Sequence, residues 1–349
     1  MFDARSRQHD LRSPVPTRPT GRAAISNEHQ ATIAGRLTAR DRWIARMVAE
    51  HGTLTSTQLA RVAFPCRRTA NKRLPLLYRW RVLNRFQPYV RSGAAPMFYV
   101  LDSAGAHLLA HEDGIDPHAL KFRSERAIGI AHSLRLAHLH GVNDLFTGLI
   151  AHALHHDQRA LAAWWSETRC ARHFGDLVRP DGYGRWRIGD REIEFFLEFD
   201  TGSYQLSRLV AKLPGYAELA TTSRIVTPIL TCFARPEREA HARRLLADHL
   251  RTHSRPRTVP VATTTVDTIQ QAGTSADQVW LPLHPSDSGR LHLIDLTTAW
   301  PHLPAPTAPT GTTNPTPEAT RAVRLSPPAS MPPFTRTTLD WNPSRTTSP

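Results

Sequence analysis

Cysteine, lysine and long apolar runs are all scarce in this 349-residue chain. The three cysteines, Cys66, Cys170 and Cys232, are odd in number and far apart, which argues against a disulfide framework and against a cysteine-based zinc site. No stretch approaches the roughly 18 consecutive apolar residues of a membrane-spanning helix. The opening MFDARSRQHDLRSPVPTRP is rich in arginine and lacks an apolar core, so it does not read as a secretory signal. Together these absences predict a cytoplasmic protein of a reducing compartment with no membrane partner. Hydrophobic residues still make up 40% of the chain, enough for a real core, and the length suits two folded units or one large one.

Lysine is confined to Lys72, Lys121 and Lys212, against 41 arginines. Such a skew is the usual mark of a GC-rich genome, and it draws attention to the lysines that persist. The formal net charge is +14, and its distribution is uneven. Residues 1–100 hold 18 Lys/Arg against five Asp/Glu, so the remaining two-thirds are close to neutral. Positive charge gathered in one region suits a polyanion such as nucleic acid, because phosphate neutralisation releases counterions.

Both ends lack a lasting hydrophobic period. Residues 1–36 read as a disordered basic arm, and residues 301–349, with 12 of the 28 prolines, as a disordered Pro/Thr-rich tail. Between them the spacing predicts a domain at 37–112, a linker at 113–125 and a second domain at 126–300. No internal repeat is present.

In the first domain Thr38 can cap a helix, with Asp41 in its first turn, and Trp43, Ile44, Met47 and Val48 form one apolar stripe. Gly52 stops that helix. Thr55 and Gln58 have the spacing of a capping box before Leu59, Val62 and Ala63. A third helix begins near Arg67, with Ala70, Leu74 and Leu77 facing inward. Pro75 lies inside that pattern and is expected to kink or shorten it. Residues 82–86 and 97–101 then read as two strands around a loop. Three helices and a hairpin make a winged helix-turn-helix, whose third helix enters the major groove of double-stranded DNA. The expected DNA contacts are Arg67, Arg68, Lys72 and Arg73 on that helix, Thr69 and Asn71 beside them, and Arg91 on the wing. Protein docking is the other use of such a module; the basic face favours DNA.

Residues 126–156 carry helical spacing, as a helix pair or one helix broken near Gly141. Strands, a helix from about residue 205, a strand near 225–230 and a helix at 237–250 follow, an α/β core within an α+β chain. Its chemical centre is Asp181, Glu198, Asp200 and Lys212. Asp181 sits in RPDG at a strand end, and Glu198 and Asp200 share one face of the next strand. Three carboxylates suit a hard divalent ion such as Mg²⁺ or Mn²⁺, which activates water and offsets phosphate charge, with Lys212 as phosphate partner. The bland alternative is three exposed acids at the end of a structural sheet.

Two further signals carry less. His138-Leu139-His140 matches the spacing of a strand-borne metal pair, but its surroundings are helical, and two residues apart share a face only on a strand. Tyr183, Tyr204 and Tyr216 flank the acids, as nucleophiles or as aromatic packing. The pair His155-His156 suits a helix C-terminus.

Asp181, Glu198-Phe199-Asp200 and Lys212 together resemble a variant of the PD-(D/E)xK nuclease signature, with Asp200 where the lysine normally stands and Lys212 as its substitute. The whole pattern more closely resembles the actinobacterial replication-relaxation family. The resemblance runs from about Leu37 to about Leu296 and is carried by TARDRWIARMVAEHGTLTSTQLARVAF, HLHGVNDLF, RPDGYGRW, FFLEFDTG, KLPGY and VWLPL. It implies a winged-helix DNA-binding module joined to a restriction-endonuclease-like α/β core, acting in plasmid replication, DNA relaxation or mobilisation. A metal-dependent nickase or relaxase working with replication or transfer proteins is one expectation. A non-catalytic DNA-binding regulator or replication-initiation adaptor on a degenerate nuclease-like scaffold is the other.

Overall fold

The computed structural model describes residues 11–14, 21–24, 26–90, 93–203, 205–252, 259–283, 289–303 and 323–334. The described residues divide into two units, 12–133 with 323–334, and 134–303 with Leu11. The chain is of mixed α/β class.

The first unit opens with β1 (Arg12–Pro14) and α1 (Asn27–Arg36), the latter capped by the Ser26 side chain. Residues 1–36 were expected to form a disordered arm; Asn27–Arg36 depart from this because a capping serine and a buried Ile33 anchor a helix there. Next come α2 (Ala39–His51), β2 (Leu54–Thr55), α3 (Ser56–Ala63) and α4 (Arg67–Arg79). Full capping boxes start α2, through Thr38 and Asp41, and α3, through Thr55 and Gln58. The stripe Trp43, Ile44, Met47 and Val48 is buried, as are Ala70, Leu74 and Leu77 of α4. Pro75 does not end α4, which runs four residues further. Buried Leu74 and Leu77 anchor the turn on either side of the missing donor.

The chain continues through β3 (Leu83–Phe86), β4 (Pro88–Tyr89), β5 (Phe98–Leu101), α5 (Ser103–Glu112) and α6 (Ser124–Ile128). β2, β5 and β3 form an antiparallel sheet with β5 central and Arg85 opposite Tyr99. The expected linker at 113–125 is not the division between units, which falls after Ser133. Ser124 explains this: its hydroxyl donates to Asp102, the buried residue that caps α5, and so holds α6 to the first unit.

Residues 323–334 correct the expectation of a disordered tail over their length. Trp43 Nε1 donates to the Ala329 carbonyl at 2.8 Å, and the Ser326 N–H donates to Asp113 at 2.7 Å. Arg46 reaches the Ser326 carbonyl, and the Arg40 guanidinium lies over the rings of both Phe64 and Phe334. Prolines at 327, 328, 332 and 333 stiffen this segment before it docks, which lowers the entropy lost on seating it.

The second unit begins with α7 (Leu136–Leu154), followed by β6 (Arg159–Ser166), α8 (Glu167–Phe174), β7 (Gly182–Ile188), β8 (Arg191–Asp200) and α9 (Ser207–Ser223). Then come β9 (Ile229–Phe233), α10 (Pro236–Thr252), β10 (Val261–Thr265), α11 (Val266–Ala272), β11 (Leu281–Pro282) and α12 (Leu296–Ala299). One sheet runs in the order β11-β10-β9-β8-β7-β6. β6, β7 and β8 are antiparallel, whereas β8, β9 and β10 are parallel and are joined through α9 and α10.

Strand β8 is buried without a break from Phe195 to Phe199 because both its faces are covered there. Phe195 stacks on Phe146 of α7, while Phe196, on the other face, packs on Tyr216 of α9. Helix α7 is unbroken at Gly141. A side-chain carbon there would come within 2.3 Å of the Phe199 ring, so the glycine serves close helix–sheet approach and marks no break.

Candidate active site

The β-strand pair β7–β8 assembles the site. Asp181 immediately precedes β7, and its N–H donates to the Leu197 carbonyl at 3.1 Å, which sets it beside Glu198 at the start of the strand. One Asp181 oxygen accepts the Phe199 N–H at 2.8 Å; the other lies 3.2 Å from His138 Nε2 on α7. Glu198 points to the α9 side. Its Oε2 accepts from Lys212 Nζ at 2.6 Å and its Oε1 from the Tyr216 hydroxyl at 2.5 Å. Lys212 also donates to the Arg179 carbonyl at 3.2 Å. Spacing along α9 explains this reach, since Lys212 and Tyr216 lie four residues apart on one helical face.

Both carboxylates are buried, and burial raises the pKa of each. For Asp181 that effect is outweighed by His138, Lys212 and the Phe199 N–H, which hold it below the usual carboxylate range. For Glu198 burial and the neighbouring Asp181 charge prevail over Lys212 and Tyr216, pushing it up to about 7. Burial alone would lower Lys212 and His138; the carboxylates raise both. Tyr216 is raised well above its ordinary value, first by burial and then by Glu198. A glutamic acid that titrates near neutrality beside an ionised aspartate and a lysine can exchange protons with a bound reactant.

Of the four residues expected here, the structure brings together Asp181, Glu198 and Lys212 and diverts Asp200. Arg238, in the first turn of α10, donates to both Asp200 oxygens, at 2.7 and 2.9 Å. Because β9 lies next to β8, α10 starts beside the end of β8 and delivers that arginine. Among the described residues no three His, Cys, Asp or Glu side chains form a metal-holding group. His138 is the site neighbour that spacing alone leaves open. It lies on α7, so His138 and His140 do not share a strand face. Tyr183 donates to Glu194 at 2.7 Å, away from the acids, and Tyr204 lies outside the described residues. His155 and His156 sit at the end of α7 with Nδ1 atoms 2.6 and 2.8 Å from carbonyls one turn back.

In the first unit Arg67, Arg68, Asn71 and Lys72 are exposed on α4, and Thr69 is half-buried with its hydroxyl 3.4 Å from Cys66 Sγ. Arg73 is different. It donates to both oxygens of buried Asp41, at 3.0 and 2.6 Å, donates to the Arg36 carbonyl and lies over the Trp80 ring. Its fork holds α4 to the start of α2, so it is removed from the outward-facing set. Arg91 lies outside the described residues.

Fold and site define an α+β protein with a buried pair of carboxylates and a lysine at adjoining strand ends. The family model described as replication-relaxation matches residues 46–230, more than half of the chain, and the chain belongs to that family. The match takes in Asp181, Glu198, Lys212 and the exposed face of α4, and ends short of VWLPL. Membership points to a role in replication or relaxation. No curated protein and no solved structure matches the chain. Among the described residues no helix is long and apolar enough to cross a membrane.

Proposed function

We propose that this is a cytoplasmic DNA-binding protein of plasmid or mobile-element origin that nicks or relaxes the DNA its first unit holds. In this reading the first unit is a winged helix that grips double-stranded DNA through Arg67, Arg68, Thr69, Asn71 and Lys72, with Arg91 on its wing. The second unit is a PD-(D/E)xK-type core. The carrying observation is the pairing of Asp181 and Glu198 across β7 and β8 with Lys212 reaching them from α9. The order helix, strand, short helix, two further strands antiparallel to their neighbours, helix, parallel strand supports the same core.

The residues present fit a divalent ion in donor chemistry. Asp181 and Glu198 offer hard oxygens; burial first and the Asp181 charge second raise Glu198 to about 7, and a cation would relieve the second of these. Two carboxylates suffice for Mg²⁺ or Mn²⁺, which retains several waters. Asp200, held by Arg238, is not needed for it. When bound, the ion supplies Lewis-acid stabilisation of phosphate charge. The chain's own groups do the rest: Lys212 sets the charge at the phosphate, Glu198 holds or yields a proton, and Tyr216 and the Phe199 N–H fix the carboxylates' orientation.

A second reading, a non-catalytic regulator or initiation adaptor, is favoured by one observation: Lys212 and His138 already neutralise the two acids. Supercoiled plasmid incubated with Mg²⁺ or Mn²⁺ separates the two. The nuclease reading expects nicked or relaxed product from wild type and none from Asp181→Ala or Glu198→Ala. Plasmid left supercoiled across metals, with duplex binding intact, selects the adaptor. The grip itself is tested by salt titration of duplex binding, which Arg68→Ala and Lys72→Ala should weaken.

A further inference from the structure

At the opposite end of α4 from Arg67, two guanidiniums meet one carboxylate and a third joins them at the Tyr78 ring. Arg22 donates to buried Asp102, and Arg81 Nε lies 3.5 Å from the same Asp102 oxygen. Arg22 and Arg85 both lie over the Tyr78 ring, 4.5 and 4.3 Å from its centroid. Asp102 is already engaged: it accepts the Ser103 N–H at 2.7 Å, as the cap of α5, and the Ser124 hydroxyl at 2.7 Å. Two positive charges therefore share one negative, with Arg85 as a third beside them at Tyr78, in a place where Arg22 and Arg81 keep only 23% and 26% of their side-chain exposure. The Nε atoms of Arg22, Arg81 and Arg85 are all buried without a hydrogen-bond partner. Burial, together with Arg81 and Arg85, lowers the Arg22 pKa, as expected of cations crowded without enough counter-charge.

The backbone makes a separate point. Arg81 follows the cap of α4 with φ of 58°, the left-handed shape that helices usually assign to glycine. An arginine stands there despite the strain of a side chain in that region, and its guanidinium points into the cluster. Asp102 by itself accounts for one or two of the arginines. It does not account for Arg85, which engages the phenols of Tyr78 and Tyr99 and no carboxylate among the described residues.

We propose that Arg22, Arg81 and Arg85, arranged around Tyr78, form a phosphate-binding site, and that its ligand is a backbone phosphate of bound DNA. Guanidinium forks match the geometry of phosphate oxygens, and an anion relieves the excess charge. Helix α4 argues for nucleic acid over a free phosphate. Its 13 residues span about 20 Å, with exposed Arg67, Arg68 and Lys72 toward one end and exposed Arg79 beside this cluster at the other. A row of that length follows a phosphate chain, whereas a single small anion needs only one end. The choice of DNA rests on the duplex-binding reading of the first unit; the phosphate site itself does not.

Arg85 is the residue to change, because its loss leaves both ion pairs of Asp102 in place. Binding of a fluorescent 20-base-pair duplex to the full chain is measured by anisotropy across a salt series, for wild type, Arg85→Ala, Arg85→Lys and Arg68→Ala. Arg85→Ala is expected to weaken binding about tenfold and to flatten the salt slope by about one unit, with Arg85→Lys keeping most of the slope. Unchanged affinity and slope in Arg85→Ala, while Arg68→Ala weakens binding, overturns the site. Thermal melting without ligand reports that each variant is folded. Melting with inorganic pyrophosphate separates the two levels of the claim. If wild type binds no duplex, the DNA reading of the first unit fails. The phosphate site then stands if pyrophosphate raises the melting temperature of wild type and not of Arg85→Ala, and falls if both respond alike.

Discussion

Replacing Glu198 with glutamine should make the second unit more stable at pH 8 than wild type, and nearly equal to it at pH 4. Glutamine keeps an acceptor for Tyr216 and mimics the protonated acid, so at low pH the two proteins present the same neutral group. In wild type the folded-state pKa stands at about 7, against 4.5 for an ordinary glutamate. A raised folded pKa contributes stability that is fully present below the unfolded value. It is lost as pH rises through the folded value, because ionisation is easier in the unfolded chain. The window is therefore about pH 4.5 to 7. At 1.36 kcal/mol per unit, the loss across it reaches about 3 kcal/mol, or about 6–12 °C in melting temperature for a unit of this size. The measurement is calorimetric melting of both proteins in chelator-containing buffers from pH 4 to 8, read as their difference, so that titrations common to both cancel. A difference that stays flat across the window, or wild type emerging as the more stable at pH 8, would refute the claim that burial and Asp181 outweigh Lys212 at this glutamate.

Three further outcomes test the packing. Arg73→Ala strands the buried Asp41 carboxylate and should cost about 3–5 kcal/mol in the first unit, whereas Arg68→Ala should leave its melting within about 0.5 kcal/mol of wild type. Equal melting of the two variants would return Arg73 to the outward-facing set. Gly141→Ala drives a methyl into the Phe199 ring and should destabilise the second unit by about 1–3 kcal/mol, read from its denaturation midpoint. Truncation after residue 322 removes the acceptor of Trp43 Nε1 and should lower first-unit stability by about 1 kcal/mol or more, with a red shift in tryptophan emission; an unaltered spectrum would show that the segment does not shield Trp43.

Local signals were legible wherever neighbours in sequence decide the structure. Thr38 with Asp41 and Thr55 with Gln58 announce two helix starts within four residues each, and both capping boxes form. The alternation through Glu194–Asp200 likewise gives β8 its length and its acids their strand. What escaped depends on partners far along the chain. Gly141 looks like a helix break until Phe199, 58 residues on, fills the space above it. Asp200 looks equivalent to Glu198 until the sheet order brings Arg238 to it. Strand β6 passes unnoticed because Arg159–Ser166 lacks clean alternation; an edge strand with two tryptophans and a register shift does not show period two. Residues 323–334 are the hardest case, for apart from the Phe334 ring their anchors are backbone carbonyls and an N–H, which leave no mark on a side-chain pattern.

Net charge is the signal that changes most on passing from sequence to structure. The excess of the first 100 residues reads as one basic surface, yet much of it is internal. Arg73 holds Asp41, Arg42 and Arg46 hold Glu112 and Asp113, and Arg22 and Arg81 hold Asp102. The cations left facing outward on α4 are Arg67, Arg68, Lys72 and Arg79. If these four alone met phosphates, the logarithm of the binding constant would fall with the logarithm of salt at a slope of about −3.6, since each contact contributes roughly −0.9. A steeper slope requires cations beyond α4, and the Tyr78 cluster is a place in the described part of this unit where several cations stand together with buried, unpartnered Nε atoms. The salt slope therefore measures how far the interface extends past the exposed face of one helix, which the total of +14 cannot do.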